Sequence, residues 1–184
     1  MKKFIKWLFV ILVFLQAAVI IAGVVIFRMP LPDHDIDVSG LPLTDFVEVI
    51  RDERGIPHIY GTNVDDILFA QGYVHAQDRF WQLEFWSHLS TGRLASLIGE
   101  PGVGADLLFR TFGFNRVALE EYETLPPEFK QDLINYTNGI NAYIESRPQR
   151  SLSLEHFLLQ FINPDYEVDK YEPHYPLAGA KMMA

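Results

Sequence analysis

The chain contains no cysteine among its 184 residues, which excludes a thiol nucleophile, a disulfide framework and a thiolate metal site within them. Basic residues are also too few to balance the acidic ones, since 15 lysines and arginines stand against 24 aspartates and glutamates, a net charge of −9. An acidic chain of this kind repels phosphate backbones, so we expect no nucleic-acid partner. The length predicts about one domain.

The short motifs of common catalytic and metal sites are missing as well. No two of the six histidines have the spacing of a helical zinc site, and there is no HExxH pattern, GxSxG elbow or phosphate-binding glycine loop. Ser87, Ser90 and Ser96 fall in or beside helical sequence with no positioned base. The residues alone therefore predict neither a catalytic residue nor a metal ligand in this segment.

A long apolar run dominates the N-terminus. Lys2, Lys3 and Lys6 precede residues 7–27, in which Gln16 is the only strongly polar side chain. A helix of this length, at about 1.5 Å per residue, spans roughly 30 Å, the thickness of a bilayer core. An uncleaved signal anchor is favoured over a cleaved signal peptide, whose apolar core is usually about 7–15 residues long, and over a buried core helix.

The lysines before this run predict its orientation, because basic flanks stay in the cytoplasm. We expect the body of the protein on the periplasmic or extracellular side. The predicted organisation is a cytoplasmic basic end at 1–6, a transmembrane signal anchor at 7–27, a linker at 28–44 and the body at 45–184.

Two short β-branched runs predict a β-hairpin at the start of the body. Residues 46–50 and 56–60 flank a turn that ends at Gly55, which is free to take a positive φ. Pro57 lies inside the second run and lacks the donor that a sheet ladder needs, so this strand belongs at an edge or beside a bulge.

Helical patterns fill most of the remaining sequence. Thr62 or Asn63 is expected to cap a first helix, in which Gly72 indicates close packing or a break. A second helix is expected at about 77–98, with Gly99 ending it. Residues 100–125 are less regular.

The clearest helical pattern follows Pro126-Pro127. Its apolar residues recur at helical spacing and predict one buried face, made of Phe129, Leu133, Tyr136, Ile140 and Tyr143. A short helix is expected at about 154–161, and a last one begins near Pro176.

Asp78 and Arg79 are a charged pair amid aromatic residues. A partly buried charge needs a partner, so the favoured interpretation is a structural ion pair that orients helices, with a role near a catalytic centre as the alternative. Arg93 and Arg110 are interpreted in the same way. The aromatic stripe from Phe80 to Trp86 predicts core, with an acyl pocket as the minority interpretation.

Six short segments follow one another in a specific order within residues 47–184. They are Arg51-Asp52 with Gly55-Ile56-Pro57-His58-Ile59-Tyr60, Gly72-Tyr73 with Ala76-Gln77-Asp78-Arg79, Gly92-Arg93-Leu94, Arg110-Thr111-Phe112-Gly113, Gly139-Ile140-Asn141-Ala142 and Lys181-Met182-Met183-Ala184. Any one of them is a weak signal. In this order and spacing they resemble the start of the α region of the penicillin amidase (penicillin acylase) family.

The resemblance implies a fold and a chemistry. It implies that this mainly α segment with a short N-terminal β-hairpin, preceded by one transmembrane helix, is part of an α+β four-layer N-terminal-nucleophile hydrolase. Such precursors cut themselves into a smaller α and a larger β chain, and the new N-terminal serine of β attacks the substrate amide. Side-chain amides of β-lactams and N-acyl homoserine lactones are typical substrates.

The resemblance also implies site residues and partners. Tyr73 and Met183 match positions near the acyl pocket. The expected partners are the β region of the same precursor, the membrane through the N-terminal helix and a small amide substrate. No cofactor is expected in this segment, although calcium is possible in the full-length protein.

Two features leave a second interpretation open. The family's nucleophile lies beyond residue 184, so this segment alone is expected to be inactive. Tyr171 and Tyr175 stand where the family commonly has a tryptophan and, four positions later, an aspartate, and loss of that aspartate is expected to weaken a helix cap or an ion pair. The alternative is a catalytically inactive, membrane-tethered helical binding module.

Overall fold

The structure is a computed structural model that describes residues 2–35 and 37–183. A long N-terminal helix precedes a two-stranded antiparallel hairpin, and a helical body follows. The helices are α1 (Lys2–Arg28), α2 (Val64–Ser90), α3 (Leu94–Ile98), α4 (Val103–Phe112), α5 (Phe114–Thr124), α6 (Pro127–Glu145), α7 (Leu154–Ile162) and α8 (Tyr175–Met183), and the strands are β1 (Glu48–Arg51) and β2 (Pro57–Tyr60). Single 3₁₀ turns occupy Glu100–Gly102 and Gln149–Ser151.

Helix α1 is long and apolar enough to cross a membrane. The stretch Lys6–Arg28 has 23 residues and a mean hydropathy of 3.0, and none of its apolar window is buried against the rest of the protein. At about 1.5 Å per residue it measures about 35 Å. A membrane anchor and a signal sequence both have this length and composition.

The hairpin forms as the sequence predicts. β1 pairs with β2 from Glu48 opposite Tyr60 to Arg51 opposite Pro57. The Asp52 carboxylate accepts hydrogen bonds from the backbone N–H groups of Arg54 and Ile56, which close the turn and hold the pKa of this carboxyl below its usual value. Gly55 takes a φ of +77°, and Pro57 begins an edge strand, where its missing donor has little consequence.

Helix α2 consists of two helical segments that meet at a kink, so the prediction of two successive helices with a boundary near Gln77 is confirmed. Asn63 is the N-cap, and its side chain accepts from the backbone N–H of Asp66. The helix continues through Gly72 and kinks at Arg79, which has φ −141° and ψ 31°. The close-packing interpretation of Gly72 is therefore confirmed, since a Cβ there would overlap the backbone carbonyl of Tyr136 on α6.

The predicted helix at 77–98 ends earlier than expected. α2 stops at Ser90, and Gly92 turns the chain with a φ of +67° before α3 begins. The Asp106 carboxylate accepts from the backbone N–H groups of Leu94 and Ala95 and so caps the start of α3 as a new helix. Gly99, at φ +75°, ends α3 as predicted.

Residues 100–125 are helical, which corrects the prediction of an irregular segment. α4 and α5 follow each other directly, separated by Gly113 at φ +76°. The apolar pattern here is misleading because several large side chains of α4 face outward. Leu107, for example, is 71% exposed.

The core lies where α2 crosses α6. Both helices bring a glycine to the crossing, and a Cβ at Gly139 would overlap the carbonyl of Phe69 just as one at Gly72 would overlap that of Tyr136. The buried cluster beside the crossing consists of Ala76, Phe80, Leu83, Ile140, Tyr143 and Leu152. The predicted buried face of α6 is correct at Ile140 and Tyr143 but wrong at Phe129, which is 54% exposed.

The last two helices were both predicted, with small differences at their ends. α7 contributes Leu159 to a second buried cluster with Leu94 and Leu97 of α3. α8 packs against α5 and α2.

Candidate functional site

Arg51 of the hairpin is bound to the middle of α2. Its guanidinium donates to both carboxylate oxygens of Asp78, at 2.8 Å each, and to the Gln77 side-chain oxygen at 3.0 Å. The side chains keep only 16% of their surface exposed at Arg51 and 24% at Asp78, and such bidentate pairs fix orientation. His34 of the linker lies 3.4 Å from the same carboxylate.

The two residues of the predicted charged pair, Asp78 and Arg79, have different surroundings. Asp78 pairs with Arg51 across the chain, whereas Arg79 is exposed at the kink of α2. Among the described residues no ion pair of Arg79 occurs. The arrangement holds the hairpin against α2.

A groove of about 750 Å³ opens between the linker, the hairpin and α2. Tyr73 lies in its wall, half-buried, with its ring edge-on to Tyr143 at 5.5 Å between centroids. The lining also includes carboxylates, among them Asp35 and Asp45, and apolar side chains such as Leu41 and Phe46. The groove therefore combines aromatic, apolar and acidic surface.

Hydrogen bonds to Asp66 hold the end of the linker beside the groove. Its carboxylate accepts from the backbone N–H groups of Thr44 and Asp45 and from the Asn63 side-chain amide. These hydrogen bonds, led by that from Thr44, hold the pKa of Asp66 below its usual value. The same residue thus anchors the end of the linker and the start of α2.

Met183 lies apart from this groove. It sits in the last turn of α8, is 81% exposed, and is not one of the residues that line the groove. The structure therefore places Tyr73 and Met183, the two positions implied by the resemblance, on different helices without bringing them into one cavity among the described residues.

A buried polar network that the sequence analysis did not single out joins α2, α7 and the loop between α7 and α8. The Glu84 carboxylate accepts from the Tyr166 hydroxyl at 2.5 Å, and its other oxygen lies 2.5 Å from Nε2 of His156. Glu84 is 4% exposed and the His156 side chain is fully buried. The facing atoms of Glu84 and His156 lie close together but form no hydrogen bond with each other or with any other group in the described chain.

His88 extends the network along α2. Its Nδ1 lies 2.9 Å from the Glu84 backbone oxygen, to which it donates, and Nε2 lies 3.4 Å from the Tyr166 hydroxyl. Burial lowers the pKa of His88, because the charged form loses its hydration. Burial and the adjacent Glu84 carboxylate raise the pKa of Tyr166, which keeps its phenol protonated as a donor.

A Ser–His–Glu order within this network suggests nucleophilic catalysis at first sight. Ser153 Oγ lies 2.9 Å from Nδ1 of His156, whose Nε2 faces Glu84. However, Ser153 is the N-cap of α7 and accepts from the His156 backbone N–H. The histidine is also closed to solvent, so no substrate reaches it, and the array is a structural cap joined to a buried pair.

One sequence signal points to this network. Glu84 follows Phe80 by four residues and precedes His88 by four, so the helical period places all three on one face. A carboxylate on an otherwise buried face requires a buried partner. The partner itself, His156, lies 72 positions along the chain and is not indicated by any local pattern.

The remaining predicted arginines also have structural partners. Arg93 donates to Asp169 at 3.0 Å and to the Tyr175 hydroxyl at 2.5 Å, and its guanidinium lies 5.1 Å from the centre of the Tyr175 ring. Arg110 donates to the Gly92 carbonyl at 2.7 Å. Arg93 thus contacts both the Tyr175 ring and hydroxyl and the Asp169 carboxylate.

These contacts define what the described residues can do chemically. They position helices and a groove, and within residues 2–35 and 37–183 no group of three or more histidine, aspartate or glutamate side chains is arranged to hold a metal ion. Glu84, His88 and His156 support the fold rather than contact a substrate.

The structure resembles a thermostable penicillin G acylase from Alcaligenes faecalis with a TM-score of 0.59, over 73% of this chain and 69% of that one. Sequence identity is 22%, so this likeness concerns the fold.

Sequence comparison adds the family. The penicillin amidase family pattern matches residues 46–184. Penicillin acylase 2 proenzyme from Pseudomonas sp. strain SE83 is 36% identical over 132 residues, and an acyl-homoserine lactone acylase from Pseudomonas fluorescens Pf-5 is 32% identical over 133 residues. Each match covers 72% of this chain but only 16% and 15% of the relative. The chain belongs to the penicillin amidase family.

Proposed function

We propose that this chain is the α-region part of an amide hydrolase that removes acyl groups from acylated amines such as β-lactams or acyl homoserine lactones. The observation that carries the proposal is the family match over residues 46–184 together with relatives named for both activities. The chain spans about one-sixth of the length of these relatives, so the proposal concerns the full-length protein.

The proposed reaction is acyl transfer to serine followed by hydrolysis. The serine oxygen attacks the amide carbonyl carbon, the C–N bond breaks, and the amine leaves with a proton passed on by the nucleophile's own α-amino group. Water then cleaves the acyl ester, which releases the carboxylic acid and restores the serine. The nucleophile belongs to the β region of the precursor, which this chain supports.

The chain's own contribution is recognition and support. Tyr73 presents an aromatic ring in the wall of a groove, and Met183 presents a flexible apolar side chain on the surface. Both suit contact with an acyl group, and both form part of the proposed acyl pocket once the β region is in place. Calcium binding, implied by the resemblance, is proposed for the full-length protein only.

The proposed location is the outer face of a membrane. α1 has the length and hydropathy of a span, and Lys3 and Lys6 at its start favour a cytoplasmic N-terminus. The body would then lie in the periplasm or outside the cell, as a tethered hydrolase.

The test is to produce the full-length protein and measure both its maturation and its activity. Mass spectrometry of the purified chains is expected to show cleavage that leaves a serine at a new N-terminus. Release of free amine from phenylacetylated, β-lactam and acyl homoserine lactone substrates identifies the acyl preference. Alanine in place of that serine is expected to abolish activity, and Ser96→Ala, on the exposed surface of α3, serves as the matched serine control.

The inactive binding module predicts the opposite pattern. An uncleaved product with no turnover of any of the three substrate types overturns the hydrolase proposal. Cleavage with turnover excludes the binding module as the main function.

A further inference from the structure

Helix α7 has an apolar face that the described chain does not cover. Its inner face buries His156 and Leu159, while Leu154, Leu158 and Phe161 form a stripe at i, i+4 and i+7 on the outer side. Leu158 is exposed, and Phe161 is 72% exposed. Phe157 packs edge-on to Phe161, at 5.6 Å between ring centroids, and Ile162 extends the patch at the C-terminal end.

Helix α7 lies beside the C-terminal end of α1. α7 contacts α1 directly. Gly23 and Ile26 in the last two turns of α1 are half-buried, and the carbonyl of Pro30 just beyond accepts from Arg147 at 3.5 Å. Arg147 also donates to the carbonyl of Ser151, three residues before the start of α7. The end of α1 and the start of α7 are therefore held together through one arginine.

We infer that α7 lies in the surface of the lipid bilayer with its Leu158–Phe161 face inserted among the acyl chains. The inference rests on the proposed membrane anchor. If α1 spans a bilayer, its last turns lie at the level where acyl chains meet headgroups, and α7 lies at that same level. Amphipathic helices of this kind bury their apolar face about 5–10 Å into the boundary.

The charges around α7 fit this position. Arg28 at the end of α1 and Arg150 before α7 are exposed, and Arg147 lies between them. Guanidinium groups at this level are within reach of lipid phosphates. Glu155 is half-buried in the first turn of α7, where the helix dipole favours a carboxylate.

Lipid is favoured over a protein partner for the Leu158–Phe161 face because α7 lies beside the proposed membrane anchor. The bilayer would occupy the space around the outer end of α1, so a protein segment covering Phe161 would have to displace lipid there. Helix α4, by contrast, packs on α2, α3 and α5 and exposes Leu107 on its outer side.

The absence of cysteine from this chain allows a direct test in the full-length protein. Any cysteine in the rest of the protein is replaced by serine, and single cysteines at Leu158 and Phe161 are labelled with an environment-sensitive fluorophore. The protein is reconstituted into vesicles of phosphatidylethanolamine and phosphatidylglycerol, with nitroxide on the acyl chains of a fraction of the lipid. Leu15→Cys in α1 reports the anchor, and Leu107→Cys on α4 is the matched exposed leucine.

The expected result is loss of fluorescence by lipid nitroxide at positions 15, 158 and 161, with position 107 unaffected. Quenching at 15 without quenching at 158 and 161 overturns the inference but leaves the anchor in place, and protection of these two positions from aqueous iodide would then assign the patch to protein. Absence of quenching at 15, or loss of α1 from the mature protein, overturns both the anchor and the inference.

Discussion

The carboxylate of Glu84 and the imidazole of His156 lie 2.5 Å apart although 72 positions separate them in the chain. Both side chains are buried, where a polar group needs a polar neighbour. The contact joins α2 to α7, and Tyr166 joins the loop after α7 to the same carboxylate.

Replacing Glu84 with glutamine is expected to destabilise the full-length protein by about 3 kcal/mol, because it removes one charge of a buried, partnered group. Denaturant unfolding, followed by tryptophan fluorescence, measures the change. Glu128→Gln at the exposed start of α6 is the control, with an expected change within about 0.5 kcal/mol. Equal effects of the two variants would show that the buried contact contributes nothing.

The glycine crossing of α2 and α6 supports a second prediction. Gly72→Ala and Gly139→Ala each place a methyl group where the opposing backbone carbonyl lies, and side-chain rotation cannot relieve the overlap. We expect each variant to lose at least about 1–3 kcal/mol of unfolding free energy, the usual loss for overpacking.

The control for this prediction is Gly179→Ala in α8. A Cβ there meets nothing within 4 Å, so alanine is expected to stabilise the helix by about 0.5–1 kcal/mol. If all three alanine variants gained stability, helix propensity would outweigh the close approach and the prediction would be wrong.

Local sequence predicted those parts of the fold that have local causes. Gly55 and Pro57 indicated the hairpin, and Gly99 indicated the end of α3, because a turn or a helix end depends on neighbouring residues. The helices in 100–125 were missed because the outward apolar residues of α4 obscure its periodicity. Apolar periodicity indicates a core face only when the partner of that face is within the same chain.

The site was predicted less completely for a related reason. Asp78 stands out as a charge amid aromatic residues, yet its partner Arg51 lies on another element and comes close only through the fold. Glu84 occupies a helical face with Phe80 and His88, but no local pattern indicates that His156 is its neighbour. The order of the motifs identified the family, which apolar periodicity did not. Residues of different motifs contact each other in the fold, as Arg51 and Asp78 do.

Burial of His88 leads to a prediction about pH. Its pKa is lowered in the folded state, so between its ordinary value of 6.5 and the lower folded value the unfolded chain binds a proton that the folded chain does not. Stability from this group is complete above pH 6.5 and is lost as the pH falls below it. The slope approaches about 1.4 kcal/mol per pH unit for one proton.

The measurement is the free energy of unfolding of the full-length protein between about pH 7.5 and about pH 5, a range that brackets the ordinary histidine pKa. The charged groups that act on the pKa of His88 are Glu84, Arg93 and Asp169, and the Tyr166 hydroxyl lies 3.4 Å from its Nε2. His88→Gln is expected to flatten the slope, because it removes the group that titrates differently in the folded and unfolded chains. An unchanged slope in His88→Gln would contradict the prediction.

Met183 allows a test of the acyl pocket that is separate from folding. The side chain is 81% exposed on α8, so Met183→Ala is expected to change the free energy of unfolding by less than about 0.5 kcal/mol. If the residue contacts the acyl group, its loss lowers kcat/KM for long or aromatic acyl chains by about 10- to 200-fold, the range for one missing apolar contact in a pocket. Leu107→Ala, at another exposed apolar position, controls for general surface effects, and an equal loss for short and long acyl chains would place Met183 outside the pocket.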